Sequence, residues 1–364
     1  MARRNTSTLV ALIALTASLA LTARGAMASP ACVPGWHVVP SPSPGDLGSQ
    51  LSGVAAISST DAWAVGVAGG SPSRTLIEHW DGAEWSVVPS VDVGTLNSLS
   101  GVTALSSSDV WAVGQTFVTD YAPLIEHWDG SMWSLVPSDP TVPSGGLSGI
   151  SGTGPADIWA VGGTGTSSLI EHWDGHGWSR VDSPTGKNTG LLSVQAIAPD
   201  DAWAVGNDIR GFDETAPVIE HWDGRAWSRV RSAQTSRPKV LEAVWADSAS
   251  DAWAVGSVGP GIQTHAERWD GSTWTTTYTP SPGSDAVLRG VGGSSADDVW
   301  AVGNVQGGAI AERWNGRRWK DWPIDGNYWL SGVEVEPTGD AWAVGANLDS
   351  LLETHVVRFI GCSA

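Results

Sequence analysis

The stretch "LSGVAAISSTDAWAVG" at residues 51–66 alternates apolar and small side chains, breaks at a polar turn, and then alternates again. A period of two is the signature of a β-strand, so the segment reads as two strands joined by a short turn. In the second, "DAWAVGV", Trp63, Val65 and Val67 fall on one face and Ala62, Ala64 and Gly66 on the other. A ribbon bulky on one side and small on the other fits against a copy of itself. The chain supplies the copies: the core "D-x-W-A-V-G" recurs with its tryptophan at positions 63, 111, 159, 203, 253, 300 and 342, at spacings of 48, 48, 44, 50, 47 and 42 residues. Seven units of this length fall in the range of β-propeller blades.

Each unit continues into a segment such as "LIEHWDGAEWSVVPS" at residues 76–90, which supplies two more strands. The hexapeptide "IEHWDG" stands at residues 77–82, 125–130, 170–175 and 219–224. Its Asp-Gly pair between two apolar runs predicts a type I′ hairpin turn with positive φ at both central residues. The sixth unit writes Asn315-Gly316 instead. That exchange discards the charge and predicts that the position supplies backbone conformation rather than carboxylate chemistry. Pro89 and Pro137, near the ends of the last strand, place it at the outer edge, where a missing ladder donor is tolerated. No segment keeps a 3.6-residue apolar period.

The seventh unit ends "THVVRFIGCSA" with no fourth strand, while "CVPGWHVVPSPSP" near the start matches the fourth strand of the other units. The expected fold is therefore all-β: a seven-bladed β-propeller of four-stranded antiparallel blades, closed by an N-terminal strand that completes the last blade. This closure would set Cys32 beside Cys362, the only two cysteines, and a disulfide is expected there. Closing so long a loop is worth on the order of 5–6 kcal/mol in the chain-entropy model.

Residues 1–28 read as a secretory signal, with Arg3 and Arg4 before the apolar run "LVALIALTASLAL" and small residues up to Ala28, which leaves residues 29–364 for the propeller. Cleavage would leave 16 basic residues against 38 acidic ones, a net charge of −22. Such a surface repels nucleic acid and anionic membranes. A secreted, soluble monomer with no membrane insertion is expected.

The "D-A-W-A-V-G … H-W-D-G-x-x-W" pattern resembles the propeller repeats of secreted bacterial proteins of the kelch and galactose-oxidase central-domain superfamily. Its "D-G-x-x-W" hairpin is similar to the Asp-box turn of sialidase-type propellers, and "D-x-W-A-V" to tectonin-type lectin blades. The resemblance covers nearly all of residues 29–364 and implies blade design, not function. The copper site of galactose oxidase needs a cysteine-linked tyrosine, but both cysteines are committed at the termini and only Tyr121, Tyr278 and Tyr328 are present. The sialidase arginine triad does not assemble either, because Arg268, Arg313 and Arg358 occupy a repeat position.

Repetition also decides the candidate sites. His79, His127, His172 and His221 share one position with those arginines; spread one per blade, they read as structural polar contacts, and no metal or cofactor is expected. The preceding glutamate, Glu78 through Glu312, recurs in six units and becomes Val357 in the seventh, which suggests pairing across strands. Asp61 and its six equivalents read as caps of the turn before them. Of 23 tryptophans, all but Trp245, Trp322 and Trp329 belong to the repeat and read as packing.

In a four-stranded meander the turns a-to-b and c-to-d share one face, and the connections b-to-c and d-to-a share the other. The first face is nearly identical in every unit and the second differs in each, so an asymmetric partner is expected there. Candidate ligand-binding residues are Asp120, Tyr121, Asp208, Arg210, Phe212, Asp213, Tyr328 and Trp329. The expected function is noncatalytic binding of an extracellular carbohydrate or protein through this face. The alternatives are an extracellular hydrolase, lyase or oxidase with its site in the central funnel, and a lectin with one equivalent sugar pocket per blade.

Overall fold

The computed structural model describes residues 33–142, 144–209, 215–235, 237–259, 262–348 and 352–361. The compact unit Pro34–Ala364 is built, among the described residues, of seven four-stranded antiparallel sheets. In blade 1, strand a is Ser49–Ser58, b is Asp61–Ala68, c is Arg74–Trp80 and d is Trp85–Val87, hydrogen-bonded in that order. Blade 7 takes its strand d from the other end of the chain: Gly35–Val39 pairs antiparallel with Glu353–Ile360, from Gly35 opposite Ile360 to Val39 opposite Val356. Both the blade count and the closure agree with the sequence pattern. No described helix is long and apolar enough to cross a membrane.

The core is divided among seven interfaces. Trp63, Val65 and Ile77 of blade 1 pack with Leu99, Val110, Ala112 and Trp133 of blade 2. Trp342 and Val344 of blade 7 pack with Leu51, Ala62, Ala64 and Trp85 of blade 1. The bulky face of each strand b thus meets the small face of the next blade, as the alternation in "DAWAVG" requires. Trp63 meets Trp133 edge-on at 5.4 Å and Trp128 at 5.1 Å. Such pairs add about 1 kcal/mol each beyond the area they bury.

The glycine of "WAVG" has its own cause. Strands a and b slip register in every blade, in blade 1 between Leu51 and Gly53. There strand a crowds its partner so closely that a Cβ on Gly66 would lie 2.0 Å from the Gln50 carbonyl oxygen, and one on Gly345 would lie 1.9 Å from that of Trp329.

Each letter of "IEHWDG" now has a mechanical role. Ile77 is core. Glu78 is fully buried and accepts a hydrogen bond from Ser41 Oγ at 2.7 Å, across the interface from the connection that follows strand d of blade 7. The same clasp joins Ser138 to Glu171 at 2.7 Å and Ser183 to Glu220 at 2.8 Å. The pairing expected across strands runs between blades, to the connection that follows the neighbouring strand d. His79 Nε2 lies 2.9 Å from Asp61 Oδ1 and its ring rests on Trp63 at 4.4 Å. Trp80 Nε1 donates to the Ser59 carbonyl at 3.1 Å, fastening the a-to-b turn.

Two local expectations are corrected. Asp61 and its equivalents turn their carboxylates toward strand c; among the described residues only Asp157 and Asp298 also accept a hydroxyl across the turn before them, from Thr153 and Ser294. The carboxylates meet histidine in blades 1–4 and arginine in blades 5–7 (Arg268 Nε to Asp251 Oδ1 2.7 Å; Arg358 to Asp340 3.5 Å). Arginine substitutes because its flat cation also lies on the tryptophan: Arg268 sits 5.2 Å from the ring of Trp253. The Asp-Gly hairpin is not a two-residue type I′ turn either. Trp80 pairs with Trp85, leaving a four-residue loop, and of the pair only Gly82 has positive φ, 96°. Asp81 Oδ1 accepts from the backbone N–H of Ala83 and Glu84 at 2.9 and 3.0 Å. Asn315 Oδ1 does the same toward Arg317 and Arg318, so the side-chain oxygen, not the charge, is what Asp and Asn share.

Candidate binding face and axial channel

Strand a of each blade lines the axis. Where it bulges, one residue per blade stands in the same place: Ser52, Ser100, Ser148, Leu192, Glu242, Arg289 and Ser331. All but Ser52 border an axial cavity of about 180 Å³, together with the glycines beside them. In five blades glycine follows the bulge, where neighbouring strands converge and a Cβ on Gly53 would lie 3.2 Å from the Ser100 carbonyl oxygen; blades 4 and 5 have Ser193 and Ala243 there. The lining is therefore small and uniform on one side. Blades 4–6 break it with a leucine, a carboxylate and a guanidinium.

Three residues further along strand a the same sector differs again, with Ala55, Thr103 and Ser151 giving way to Gln195, Trp245, Gly292 and Glu334. The Trp245 indole occupies space left by the absent side chain of Gly293, where a Cβ would lie 2.7 Å from the ring. Burial pushes the Glu334 carboxyl up to about 8, and Glu242 is also raised by burial, with the Arg289 charge opposing the shift. At neutral pH Glu334 is thus mostly a neutral acid able to donate a hydrogen bond. Arg289 Nε donates to Asn304 Oδ1 at 2.7 Å, and its guanidinium lies 6.0 Å from the ring of Trp329. Cation and aromatic face, with the Glu242 carboxyl close enough to feel the Arg289 charge, make a surface suited to holding a polar group.

The predicted site residues are distributed unevenly. Tyr328 and Trp329 open strand a of blade 7: Tyr328 stacks on His355 at 3.6 Å, and Trp329 lies beside Arg289. Burial holds His355 down to about 4, so it stacks on Tyr328 as a neutral imidazole. Asp120 and Tyr121 lie apart from them in blade 2, where Asp120 Oδ1 accepts from the Tyr121 N–H and the exposed Tyr121 ring meets Phe117 edge-on. Asp208 is buried inside strand b of blade 4, which runs on to Ile209, opposite Thr189. Arg210, Phe212, Asp213, Cys32 and Cys362 lie outside the described residues. The variety of the connecting loops does not point to Glu242, Arg289 or Glu334, which lie inside strand a. The available signal was inside a strand, where "LSGV" becomes "LEAV" and "LRGV".

Solved structures share the architecture. YCF48 bound to a D1 peptide aligns over 92% of this chain and 99% of its own at 15% identity, with a TM-score of 0.60. A streptogramin B lyase aligns over 89% and 98% at 13% identity and 0.62, and the WD40 β-propeller domain of Doa1 over 90% and 98% at 10% identity and 0.62. At these identities the likeness is one of fold alone. No family model matches the chain, and no curated protein matches it in sequence.

Proposed function

We propose that this protein is a secreted, noncatalytic propeller that binds a protein or carbohydrate partner asymmetrically, through its variable face around the axial mouth. The observation that carries this reading is the broken symmetry of the axial ring, where successive blades present Leu192, Glu242 and Arg289 in place of serine. A scaffold that needed only to fold had no use for these changes, whereas a partner reaching the axis would meet a cation, a carboxyl and Trp329 in one sector. A protein or peptide is favoured by analogy with YCF48, whose structure holds a peptide. The signal-like residues 1–28 and the resemblance to secreted kelch-type repeats support export. A Cys32–Cys362 disulfide belongs to the same proposal, since Gly35 pairs with Ile360 a few residues from each cysteine; it is tested by intact mass with and without reduction before alkylation.

The test is binding of the exported chain and its R289A/W329A variant to peptide and glycan arrays, with stoichiometry measured on the strongest hits. One site per chain, lost in the variant, supports the reading. Several equivalent sites, unaffected by the variant, would replace it with the multi-site lectin. An enzyme in the funnel is the second reading, favoured by the raised carboxyls of Glu242 and Glu334. It requires turnover that falls in E334Q while ligand binding persists.

A further inference from the structure

Between Asp223 and Glu242 the sequence "GRAWSRVRSAQTSRPKVL" carries five cations and no acid, in a chain of net charge −19. Arg225 belongs to the c-to-d hairpin. The other four, Arg229, Arg231, Arg237 and Lys239, line one cleft of about 500 Å³ in blade 4. Its remaining wall is residues 215–217 at the start of strand c, together with residues 232–235 and Pro238 between strand d of blade 4 and strand a of blade 5. This connection belongs to the variable face.

The cleft lies where a repeated tie is missing. In blades 1, 3, 5 and 7 a hydroxyl at one position of strand c holds the connection that follows strand d: Thr75 to Ser90 at 2.6 Å, Ser168 to Thr185 at 3.1 Å, Thr264 to Thr279 at 2.8 Å and Thr354 to the Pro42 carbonyl at 2.7 Å. Blade 4 has Pro217 there, which has neither a hydroxyl nor an N–H to offer. Blades 2 and 6 share the loss, with Pro123 and Ala309, but not the run of arginines.

The cations divide into two kinds. Lys239 is buried and satisfied, with its Nζ bonded to Glu267 and to the Ala233 carbonyl. Arg229, Arg231 and Arg237 are exposed, and none forms an ion pair with a described residue. Two of them are nevertheless held in position. Arg229 Nη2 donates to the Pro217 carbonyl at 3.4 Å; Arg237 Nη1 donates to Gln263 Oε1 at 3.3 Å, and its stem lies over Gly259, where a Cβ would be 3.0 Å from Cδ. Guanidinium groups fixed around a concave surface match the forked geometry of carboxylate, sulfate and phosphate.

We propose that this cleft is an oxyanion site, taking a ligand that carries two or more carboxylate, sulfate or phosphate groups, either free or displayed on a polymer. The site is separate from the axial ring and does not depend on the partner reading above. It is tested by titration calorimetry of the full chain with inorganic pyrophosphate, a sulfated disaccharide and a tri-glutamate peptide. The expected result is saturable binding of at least one probe at one per chain. The affinity should fall roughly tenfold or more in R231A and in R237A, and binding should vanish in the R229A/R231A/R237A variant. Tighter binding of the disaccharide than of pyrophosphate identifies a glycan-borne group, and the reverse identifies a free anion; either supports the site. R317A/R318A, which removes two exposed cations from the c-to-d hairpin of blade 6, should leave binding unchanged. Near-ultraviolet circular dichroism checks that every variant is folded. No saturable heat with any probe, affinity unchanged in the triple variant, or an equal loss in the R317A/R318A control would each overturn the proposal.

Discussion

Ser41 and Glu78 stand at the seam of the ring: the Ser41 hydroxyl, on the connection leaving blade 7, donates to the buried carboxyl of blade 1 at 2.7 Å. The same glutamate position clasps blade to blade around the molecule, and in most copies the second carboxyl oxygen finds no partner. A carboxylate in that setting is costly, whereas a neutral carboxylic acid is not. Burial accordingly pushes Glu78, Glu126 and Glu312 up to about 7.

The sign of the resulting pH dependence is opposite to that of an ordinary salt-bridged acid. These carboxyls hold their protons at a higher pH in the folded state than in the unfolded chain, so their contribution to stability is greatest below about 4.5. It declines as pH rises through the window from 4.5 to about 7. Each such carboxyl contributes on the order of 1–3 kcal/mol to that decline. Denaturant unfolding should show a higher midpoint at pH 5.5 than at pH 8. The acidic surface pushes in the same direction through self-repulsion. The E78Q/E126Q/E312Q variant separates the contribution of these three clasps: its slope should be shallower than that of wild type, the remainder coming from repulsion and from the other raised carboxyls, Glu171, Glu220, Glu242 and Glu334. A variant slope equal to wild type would show that these carboxyls do not titrate as described.

Gly66→Ala should destabilise by about 3 kcal/mol or more, because the new methyl would meet the backbone of strand a, which cannot rotate away. Gly177→Ala is the contrast: this glycine lies in an exposed hairpin with open space around it. Thermal melts of the two variants should differ clearly, and equal melts would remove close approach as the reason for the glycine of "WAVG".

Blade count, strand order, ring closure and the large-on-small nesting were all legible because each follows from a pattern repeated seven times. A period of two and a fixed spacing survive any local variation. What the repeat concealed was the partner of each side chain. Nothing along the chain says that Glu78 reaches Ser41 rather than a neighbour in its own sheet, since that contact arises only once blade 7 lies against blade 1. The asymmetric residues were hidden differently. Glu242 and Arg289 sit at a bulge, a strand position that faces the axis only in the assembled ring, whereas variation in the loops is visible along the chain itself. Asp208 shows the converse, a polar residue read as loop that the strand extends to include.

Asp129→Asn should be nearly neutral and Asp129→Ala destabilising. The Asp129 carboxylate accepts from the Ser131 hydroxyl and from the backbone N–H of Ser131 and Met132, which together hold it down to about 2. Asparagine keeps an acceptor oxygen in the same place, as Asn315 does in blade 6. Alanine leaves both N–H groups to water and frees the loop. Melting temperatures in the order wild type, Asn, Ala check this. An alanine variant as stable as the asparagine variant would return the turn to backbone conformation alone.

Val357→Glu tests why one blade breaks the glutamate pattern. In blade 7 the clasp is replaced by grease: Val357 is buried in a cluster with Phe359, and Trp322 and Ile324 from the connection leaving blade 6 pack against it. Those two side chains stand where other interfaces offer a serine hydroxyl or a backbone N–H. A carboxyl at residue 357 would therefore be buried without a donor, unlike Glu78, and should cost about 3 kcal/mol or more at pH 8. Because nothing opposes burial there, its folded-state proton affinity should exceed that of Glu78, and lowering the pH to 5 should recover a larger part of the lost stability. Unfolding midpoints of V357E and V357Q at both pH values make the comparison. If V357E were as stable as wild type at pH 8, the apolar connection would not be the feature that excludes the carboxyl from this interface.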